Sequence, residues 1–440
     1  MRRGMNDEEL LTRLEAHPEI RERLESTLLA VADEQGELGD ADAAEMKLID
    51  EMRRMGHASL SAWAQRKALR EAERRQAAPG VWREGKKKLC WHTTFGDVSV
   101  EEIQLRAGPQ RIRPFVAGAR VCHRGVSRPL QRAVTDLAAD APFGSAMDKL
   151  VEHYGVLLSE SVIRRITLRH ARQMFETDAL HESWPEAPGA EQIIAEVDGG
   201  MVPIMTPDAA QTDQRKGKHL CWKEAKIALA HPQGSQTLAY GGTVQGNAQQ
   251  AGRILFDCAR RAGFGCHSQL HAVGDGATWI ADQVDERFGK NGRYLVDFWH
   301  VCDYLAAAAK ALTPTQEAAT AWLEEQKTRL KEGGSRSVLE ALKPHQERPS
   351  VVDDQAPVRV CHRYLSERLD QLHYDEALRQ DLPIGSGEIE SAHRYLVQQR
   401  LKRPGAWWRD HNAEHMLALR LNRANHRWHA YWKDDFREAA

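Results

Sequence analysis

The sequence predicts an α/β protein in which a sheet flanked by helices follows a helical N-terminal region. Two patterns carry this prediction. The first eighty residues have apolar residues at helical spacing between dense charges. Between residues 190 and 312, short apolar runs alternate with helical segments in the order strand, strand, strand, helix, strand, helix, strand, helix. Hydrophobic residues make up 42% of the chain and charged residues 28%, which excludes a wholly disordered protein.

Composition excludes several other classes of protein. No apolar run approaches the roughly eighteen residues that a membrane-spanning helix needs. The N-terminal segment turns acidic at once and has no apolar stretch, so we expect no secretory signal. Seven cysteines without a Cys-x-x-Cys pair exclude a disulfide scaffold and favour a reducing cytoplasm.

Charge is sorted along the chain although the net charge is only −2. Residues 1–80 carry 13 basic and 17 acidic residues, whereas residues 81–133 carry 11 and 4, and residues 391–440 carry 10 and 5. The two basic segments could neutralise several DNA phosphates. The alternative is that each is simply a solvated face.

Residues 1–80 are predicted to form a helical arm. One helix is expected over residues 7–35, and a second from Met46 to Leu69, with a Gly56-His57 interruption. A break at residues 36–40 separates the two helices, and Ala78-Pro79-Gly80 ends the arm. The arm shows no catalytic pattern, so we expect it to self-associate or to pack on the next domain.

Residues 81–183 are predicted to form a DNA-end-binding region. Its first part has short β-type runs, and its cysteines and histidines (Cys90, His92, Cys122 and His123) lack the knuckle spacing of structural zinc sites, which argues against a metal there.

The second part of this region has a helix over residues 145–154, a turn at Gly155, and a helix over residues 160–170 with Ser159 as N-cap. Arg164, Arg165 and Arg169 on the second helix suit a DNA-reading helix-turn-helix, and the alternative is an ordinary helical hairpin.

Two acids beside glycines stand where predicted strands end. Asp198 follows the run Ile193–Val197, and Asp275 follows the run Gln269–Gly274. They are 77 residues apart in the sequence, so only the fold can bring them together. Adjacent carboxylates repel unless a cation lies between them, and oxygen ligands favour Mg²⁺ or Mn²⁺. Two such ions would serve phosphoryl transfer. The alternative is that each acid is an ordinary strand-end turn residue.

A third acid is expected from residues 383–402, which read as a Gly/Ser loop opening a helix. Glu388 and Glu390 lie in the first turn of that helix, about 200° apart around its axis, so they cannot both point at one site. Either could instead be an acid favoured by the helix N-terminus. Arg394 lies one turn after Glu390, close enough to pair with it or with a DNA phosphate, so it is a possible accessory residue. Arg400, Lys402 and Arg403 precede Trp407 and Trp408, a pattern that suits a nucleic-acid backbone, although packing is the more usual role of such tryptophans.

With these motifs assembled, the chain resembles the DDE transposases of bacterial insertion sequences, most closely the ISKra family. The resemblance covers nearly the whole chain, and its carrying motifs are EVDGG (196–200), LCWKEAKIA (220–228), VGDGATWI (273–280), YLVDFWHVCDYL (294–305) and IGSGEIESAHRYLVQQRLKRPGAWW (384–408). It implies a ribonuclease-H-like fold whose catalytic and metal-binding acids are Asp198, Asp275 and Glu390, with two Mg²⁺ or Mn²⁺ ions. The resemblance selects Glu390 as the third acid, whereas helix geometry alone left both Glu388 and Glu390 possible.

The same resemblance suggests accessory residues and domain limits. Asp297-Phe-Trp-His300 matches a Cys-or-Asp-x-x-His pair of related transposases, in which His300 could contact DNA or order the site, or be a buried satisfied histidine. Unlike relatives with a metal knuckle upstream, this chain has no intact cysteine pair there. The implied domains are a catalytic domain over residues 190–312 and 365–410, a helical insertion over 313–364 and a helical tail over 411–440.

The function implied is metal-dependent strand cleavage and strand transfer at insertion-sequence ends. The expected partners are double-stranded DNA, as terminal inverted repeats and target, and a second copy of the chain or more. The expected location is the bacterial cytoplasm, at the nucleoid. Two alternatives remain open at this point: a ribonuclease-H-like nuclease without strand transfer, and a catalytically inactive DNA-binding protein derived from a transposase.

Overall fold

A computed structural model describes residues 5–33, 36, 39–121, 125–208 and 217–433. The chain is a mixed α/β protein, as the sequence predicts. It divides into two compact units, Met1–Thr167 and Leu168–Ala440. Within the described ranges, no helix is long and apolar enough to cross a bilayer.

The N-terminal arm contains three helices where the sequence predicts two. They are α1 (Asp7–Glu15), α2 (Pro18–Ala32) and α3 (Ala41–Gln76). Proline suits a first helical turn because its missing N–H has no partner to lose there, so Pro18 begins α2 and breaks the expected helix over residues 7–35. The expected interruption at Gly56 is wrong, because α3 runs through it for 36 residues.

An antiparallel sheet packs on α3. Its strands, in the spatial order β1-β2-β3, are β1 (Val81–Thr93), β2 (Gly96–Ala107) and β3 (Gln110–Ile112). Ala64 and Ala68 of α3 pack against Val98 and Val100 of β2, and Phe115 of α4 (Pro114–Gly118) completes this small core. One face of the sheet is therefore buried and the other is available to solvent.

Three helices form the second core of this unit. They are α5 (Arg128–Asp140), α6 (Phe143–Tyr154) and α7 (Glu160–Thr177), which pack around Leu130, Leu150 and Ile163. Gly155 ends α6 with φ +65°, a left-handed conformation that glycine adopts without strain. The two predicted helices and their glycine turn are confirmed, but α7 continues seven residues beyond the expected His170.

The second unit is built on a five-stranded mixed sheet in the order β6-β5-β4-β7-β8. The strands are β4 (Gln192–Pro207), β5 (Lys218–Pro232), β6 (Ala239–Thr243), β7 (Gln269–Gly274) and β8 (Gly292–Val296). The first three in the chain pair antiparallel, whereas β7 pairs parallel with both β4 and β8. All five predicted strands of this region are present.

Side chains alternate along β4, so its two faces differ. Ile193, Ala195 and Val197 face one way and pack in a core with α8 (Ala248–Arg261) and α9 (Thr278–Phe288). Ile194 faces the other way and packs in a core with α10 (Phe298–Leu312). Glu196 and Asp198 share this second face by the same alternation.

Helices after α10 complete the second face. They are α11 (Gln316–Lys331), α12 (Ser335–Leu342), α13 (Pro357–Ser366), α14 (Tyr374–Arg379), α15 (Gly387–His393), α16 (Gln399–Leu401), α17 (Asp410–Ala424) and α18 (Trp428–Lys433). Leu330, Val338 and Val358 of the expected insertion share one core with Val301 and Leu305 of α10. Residues of α17 contact β6 and β4. The insertion and the described part of the tail in α17 are thus packed in the same unit.

Candidate functional site

Asp198 and Asp275 lie side by side on neighbouring strands. The parallel register of β4 and β7 pairs Val197 with Gly274, the last residue of β7, so the next residue of the chain in each case is one of the two acids. Neighbouring strands lie about 4.8 Å apart, which places the two carboxylates on adjacent backbones. Burial raises the pKa of Asp198, and the charge of Asp275 raises it further, while His393 and His300 act in the opposite direction. The fold therefore brings together the two acids that the sequence left 77 residues apart.

The strand that carries Asp198 does not end there, which corrects the sequence prediction. β4 continues for nine residues to Pro207, paired throughout with β5. The two glycines after Asp198 serve close packing and not a turn, because a Cβ on Gly200 would lie 2.7 Å from the His393 ring. Gly200 lets the helix that carries His393 approach the strand, whereas Gly199 leaves room for Glu224, whose carboxylate would lie 2.3 Å from a Cβ there.

Asp275 lies in a tight turn directly after β7. Its carboxylate accepts a hydrogen bond from the Ala277 N–H at 2.9 Å, and its carbonyl accepts one from the Tyr364 hydroxyl at 2.7 Å. Gly276 has φ +86°, and a Cβ there would lie 2.3 Å from the Tyr364 hydroxyl. Glycine is required at this position both by the backbone conformation and by the tyrosine.

Helix α15 lies across β4 on the face that carries Asp198. The Ile389 N–H donates to the Glu196 carboxylate at 2.7 Å, and His393 Nε2 donates to the Asp198 carbonyl at 3.1 Å. Ile389 and His393 are one turn apart, so this side of the helix faces the strand. The acid Glu390 comes directly after Ile389 in that helix and is exposed.

The orientation of α15 separates its two candidate acids. Glu388 and Glu390 lie about 100° to either side of Ile389 around the helix axis. The Glu388 carboxylate lies 2.9 Å from Nε2 of His231 on β5, so Glu388 projects from the side of the helix that is nearer β5. Glu390 therefore projects from the opposite flank of the helix, away from β5. This geometric reason to prefer Glu390 was not accessible from sequence.

The three acids do not form a closed cage for one ion. The carboxylate oxygens of Asp198, Asp275 and Glu390 do not all lie within 4.8 Å of one another. Two ions about 4 Å apart would spread their ligands over a larger distance than a single ion does. We call this open group of Asp198, Asp275 and Glu390 the carboxylate edge.

Glu196 is a site residue that the sequence analysis did not single out. Its side chain is 2% exposed and lies on the same face of β4 as Asp198. Burial raises its pKa to about 8, the Ile389 N–H opposes that shift, and the charges of Glu388 and Asp297 add to it. An acid among the apolar residues of a buried strand, two positions before Asp198, is the signal that could have identified it.

Asp297 has a positioning role in this structure. It is 6% exposed and accepts hydrogen bonds from the N–H groups of Trp299 and His300, at 2.6 and 3.0 Å, as the N-cap of α10. Its other oxygen accepts bonds from the Ser386 N–H and hydroxyl, at 2.6 and 2.5 Å. Asp297 thus fastens the loop before α15 to the start of α10. His300 itself is exposed, so the expectation that it could be a buried satisfied histidine is wrong.

The residues expected to bind DNA differ in their accessibility. Exposed cations, all named from the sequence, are Arg164, Arg165, Arg394, Lys402 and Arg403. Arg169 is half-buried and lies 3.2 Å from the ring of His170. Arg400 is corrected, because it is 3% exposed and its guanidinium lies 4.8 Å above the Trp408 ring. A phosphate cannot reach a buried guanidinium, so Arg400 is a packing residue.

The basic loop after α16 is attached to β4. The Met205 N–H donates to the Trp408 carbonyl at 2.7 Å, and the Trp408 N–H donates to the Pro203 carbonyl at 3.2 Å. Trp408 is buried, whereas Trp407 is 41% exposed and lies 6.3 Å from the 54% exposed Trp222. Packing, which we expected for these tryptophans, describes Trp408 but not Trp407.

A π-helical turn over Arg394–Gln398 follows α15 directly. Such a turn contains one extra residue and leaves backbone carbonyls outside the α-helical pattern. The buried Arg420 of α17 donates from Nε to the Leu396 carbonyl at 2.9 Å and from a terminal nitrogen to the Tyr395 carbonyl. Its guanidinium thus satisfies the carbonyls that the wide turn exposes.

In comparisons with known proteins, no family model matches this chain and no curated protein is significantly similar to it.

Proposed function

We propose that this chain is a DDE transposase of the bacterial insertion-sequence type, similar to the ISKra family, that cleaves and joins DNA strands at element ends. The observation that carries the proposal is the placement of Asp198 beside Asp275 on parallel strands, with the helix of Glu390 lying across the same strand. The strand order β6-β5-β4-β7-β8, antiparallel and then parallel, is compatible with the ribonuclease-H-like fold that the resemblance implies.

The donors at this edge suit hard divalent cations. All three candidate ligands are carboxylates, and the charge of Asp275 already disfavours ionisation of Asp198. A cation between them would remove that repulsion, and oxygen donors select Mg²⁺ or Mn²⁺ over softer metals. When bound, a pair of such ions would activate the attacking water or 3′-hydroxyl and stabilise the leaving oxygen of the DNA phosphate.

The remaining residues of the site would hold these acids in place. Glu196 and His393 tie α15 to β4, and Asp297 ties the preceding loop to α10. No nucleophilic side chain is required, because water and DNA hydroxyls supply the attacking oxygens. Helix α7 with Arg164 and Arg165 would contact the terminal repeats, and Lys402 and Arg403 would contact the DNA backbone.

The test is a strand-cleavage and strand-transfer assay with Mg²⁺ and the DNA that flanks the coding sequence. Full-length protein is compared with Asp275→Asn, Glu390→Gln and the matched variant Glu388→Gln. Removing an acid that holds the ions is expected to lower product formation by at least about a hundredfold. Glu388 projects from the other side of α15, so Glu388→Gln is expected to retain products.

The possible outcomes distinguish three functions of this protein. Strand-transfer products that disappear in Asp275→Asn and Glu390→Gln support the transposase. Cleavage without joining supports a ribonuclease-H-like nuclease instead. DNA binding without any reaction, in the presence of Mg²⁺ or Mn²⁺, supports a transposase-derived DNA-binding protein and overturns the proposal.

A further inference from the structure

The β1–β2 hairpin of the first unit carries three potential metal ligands on one face. Cys90 and His92 are two positions apart on β1, so their side chains project to the same side. Asp97 on β2 is the direct cross-strand partner of His92. Within the described residues, these three form the one group of histidine, cysteine and acidic side chains whose ligand atoms all lie within 4.8 Å of one another.

The distances are close to those of a tetrahedral zinc site. Cys90 Sγ lies 4.0 Å from His92 Nδ1, and His92 Nδ1 lies 2.7 Å from the Asp97 carboxylate. Zinc bonds of about 2.3 Å to sulfur and about 2.0 Å to nitrogen place two tetrahedral ligands about 3.5 Å apart. These two pairs therefore need to move by less than about 1 Å to admit the ion, which small side-chain rotations can provide.

The backbone that presents these ligands is fixed on both sides. The His92 N–H donates to the Gly125 carbonyl at 2.6 Å, and the Ser127 N–H donates to the His92 carbonyl at 2.8 Å. Between the two ligands of β1, Trp91 points the other way and packs near Trp63 and Phe115, with ring centroids 6.1 and 6.3 Å away. Cys90 and His92 are thereby held facing outward, so little conformational entropy would be lost on binding an ion.

We propose that Cys90, His92 and Asp97 bind one Zn²⁺ ion, with water in the fourth position. Sulfur and nitrogen donors prefer zinc to magnesium or manganese, which distinguishes this site from the all-carboxylate edge of the second unit. On binding, the Cys90 thiol releases its proton to solvent and coordinates as the thiolate. The ion would cross-link the two strands of the hairpin. Cys122 and His123, which we had considered with Cys90 and His92, lie outside the described residues and are not part of the proposed site.

The test uses Co²⁺ as a spectroscopic probe for the zinc site. Full-length protein is freed of metal with a chelator and titrated with Co²⁺, and Zn²⁺ is then added to displace it. One equivalent of Co²⁺ is expected to give a sulfur-to-metal charge-transfer band and tetrahedral visible bands. Cys90→Ser should abolish the charge-transfer band, whereas Cys221→Ser, which removes another exposed thiol, should leave it unchanged.

Further variants separate this site from the carboxylate edge. His92→Ala and Asp97→Asn are expected to weaken Zn²⁺ binding by at least about tenfold, since each removes one of three ligands. Asp275→Asn should leave Zn²⁺ stoichiometry unchanged, so the result does not depend on the proposed transposase activity. Circular dichroism checks that each variant is folded. Absence of the charge-transfer band in the wild type, or its persistence in Cys90→Ser, overturns the proposal.

Discussion

At the scale of single residues, Glu196 has the most unusual environment in the site. It is buried beside Asp198, and its pKa of about 8 means that it is mostly protonated near neutral pH. Burying a neutral carboxylic acid costs far less free energy than burying a carboxylate, so protonation lowers the cost of burying Glu196. The neutral group still accepts the Ile389 N–H and so still anchors α15.

This pKa predicts a pH-dependent stability. Between pH 4.5 and about 8, the unfolded chain ionises Glu196 while the folded protein keeps it protonated. The free energy of unfolding should therefore fall as pH rises through this window, by at most about 1.4 kcal/mol per pH unit. Glu196→Gln should remove this contribution, measured by urea unfolding from pH 5 to 8 with chelator present.

Glu191→Gln is the control for that measurement, because Glu191 is exposed directly before β4. Its pH profile should match that of the wild type. A Glu196→Gln profile that declines with pH as steeply as the wild type would show that Glu196 is ionised in the folded protein.

The placement of Asp198 and Asp275 on the sheet was easier to predict from the sequence than the packing around them. Asp275 directly follows a strand, as its glycine neighbours indicate, and the fold places it next to Asp198. The burial of Arg400 was not predictable, because a run of basic residues has the same pattern whether one member packs on a tryptophan or not. The resemblance selects Glu390 over Glu388, but a geometric reason for that preference required the contact between Glu388 and His231, which joins residues 157 positions apart.

At the scale of secondary-structure elements, the position of α15 depends on the loop before it. Asp297 caps α10 and also accepts two hydrogen bonds from Ser386, and the Phe298 N–H donates to the Ile384 carbonyl at 2.8 Å. The start of α10 and the loop are thus joined by three bonds. The sequence pattern predicts a helix over residues 301–312, so the observed α10 begins three residues earlier than expected, at Phe298.

Asp297→Asn should weaken this junction. An asparagine amide nitrogen cannot accept a bond from Ser386, so a buried N–H loses its partner, and we expect the free energy of unfolding to fall by about 2 kcal/mol. Amide hydrogen exchange over residues 384–387 should accelerate together with the loss of stability. Asp303→Asn, on an exposed face of the same helix, should change neither quantity. Unaltered exchange in the loop would contradict the role assigned to Asp297.

At the scale of the whole molecule, the net charge of −2 gives no general attraction to DNA. Binding must rely on local groups of cations, among which Arg164 and Arg165 of α7 are both exposed. Each phosphate contact contributes about −0.9 to the slope of log K against log salt. The double variant Arg164→Ala, Arg165→Ala should therefore reduce that slope by about 2, measured by fluorescence anisotropy across a salt series.

Arg172→Ala provides a matched comparison on the same helix. Its guanidinium bonds Glu176 at 2.7 Å, so it is already neutralised and should change the slope little. A double variant with an unchanged slope would place the DNA contacts elsewhere than on α7.

The division into elements was predictable at this scale, but their packing was not. Strand and helix periodicity predicted the order of strands and helices from residue 190 to 312. It could not show that residues 313–364 share a core with α10, because a helix carries no signal for which partner its apolar face meets. The implied domain limits likewise set residues 411–440 apart as a tail, whereas Leu417 of α17 packs close to the sheet. Its side chain would lie 3.4 Å from a Cβ added at Gly242 of β6.

The wide turn after α15 has a consequence for how this chain can evolve. One surplus residue in that helix rotates everything downstream by about 100° relative to a regular helix. Deleting that residue would restore regular α-helical hydrogen bonds in the backbone. The Arg420 guanidinium would then lose its two carbonyl acceptors, and Trp408 would turn away from its hydrogen bonds to β4. The extra residue of the π-helical turn and Arg420 are therefore mutually dependent, and we expect homologous chains to have both or neither.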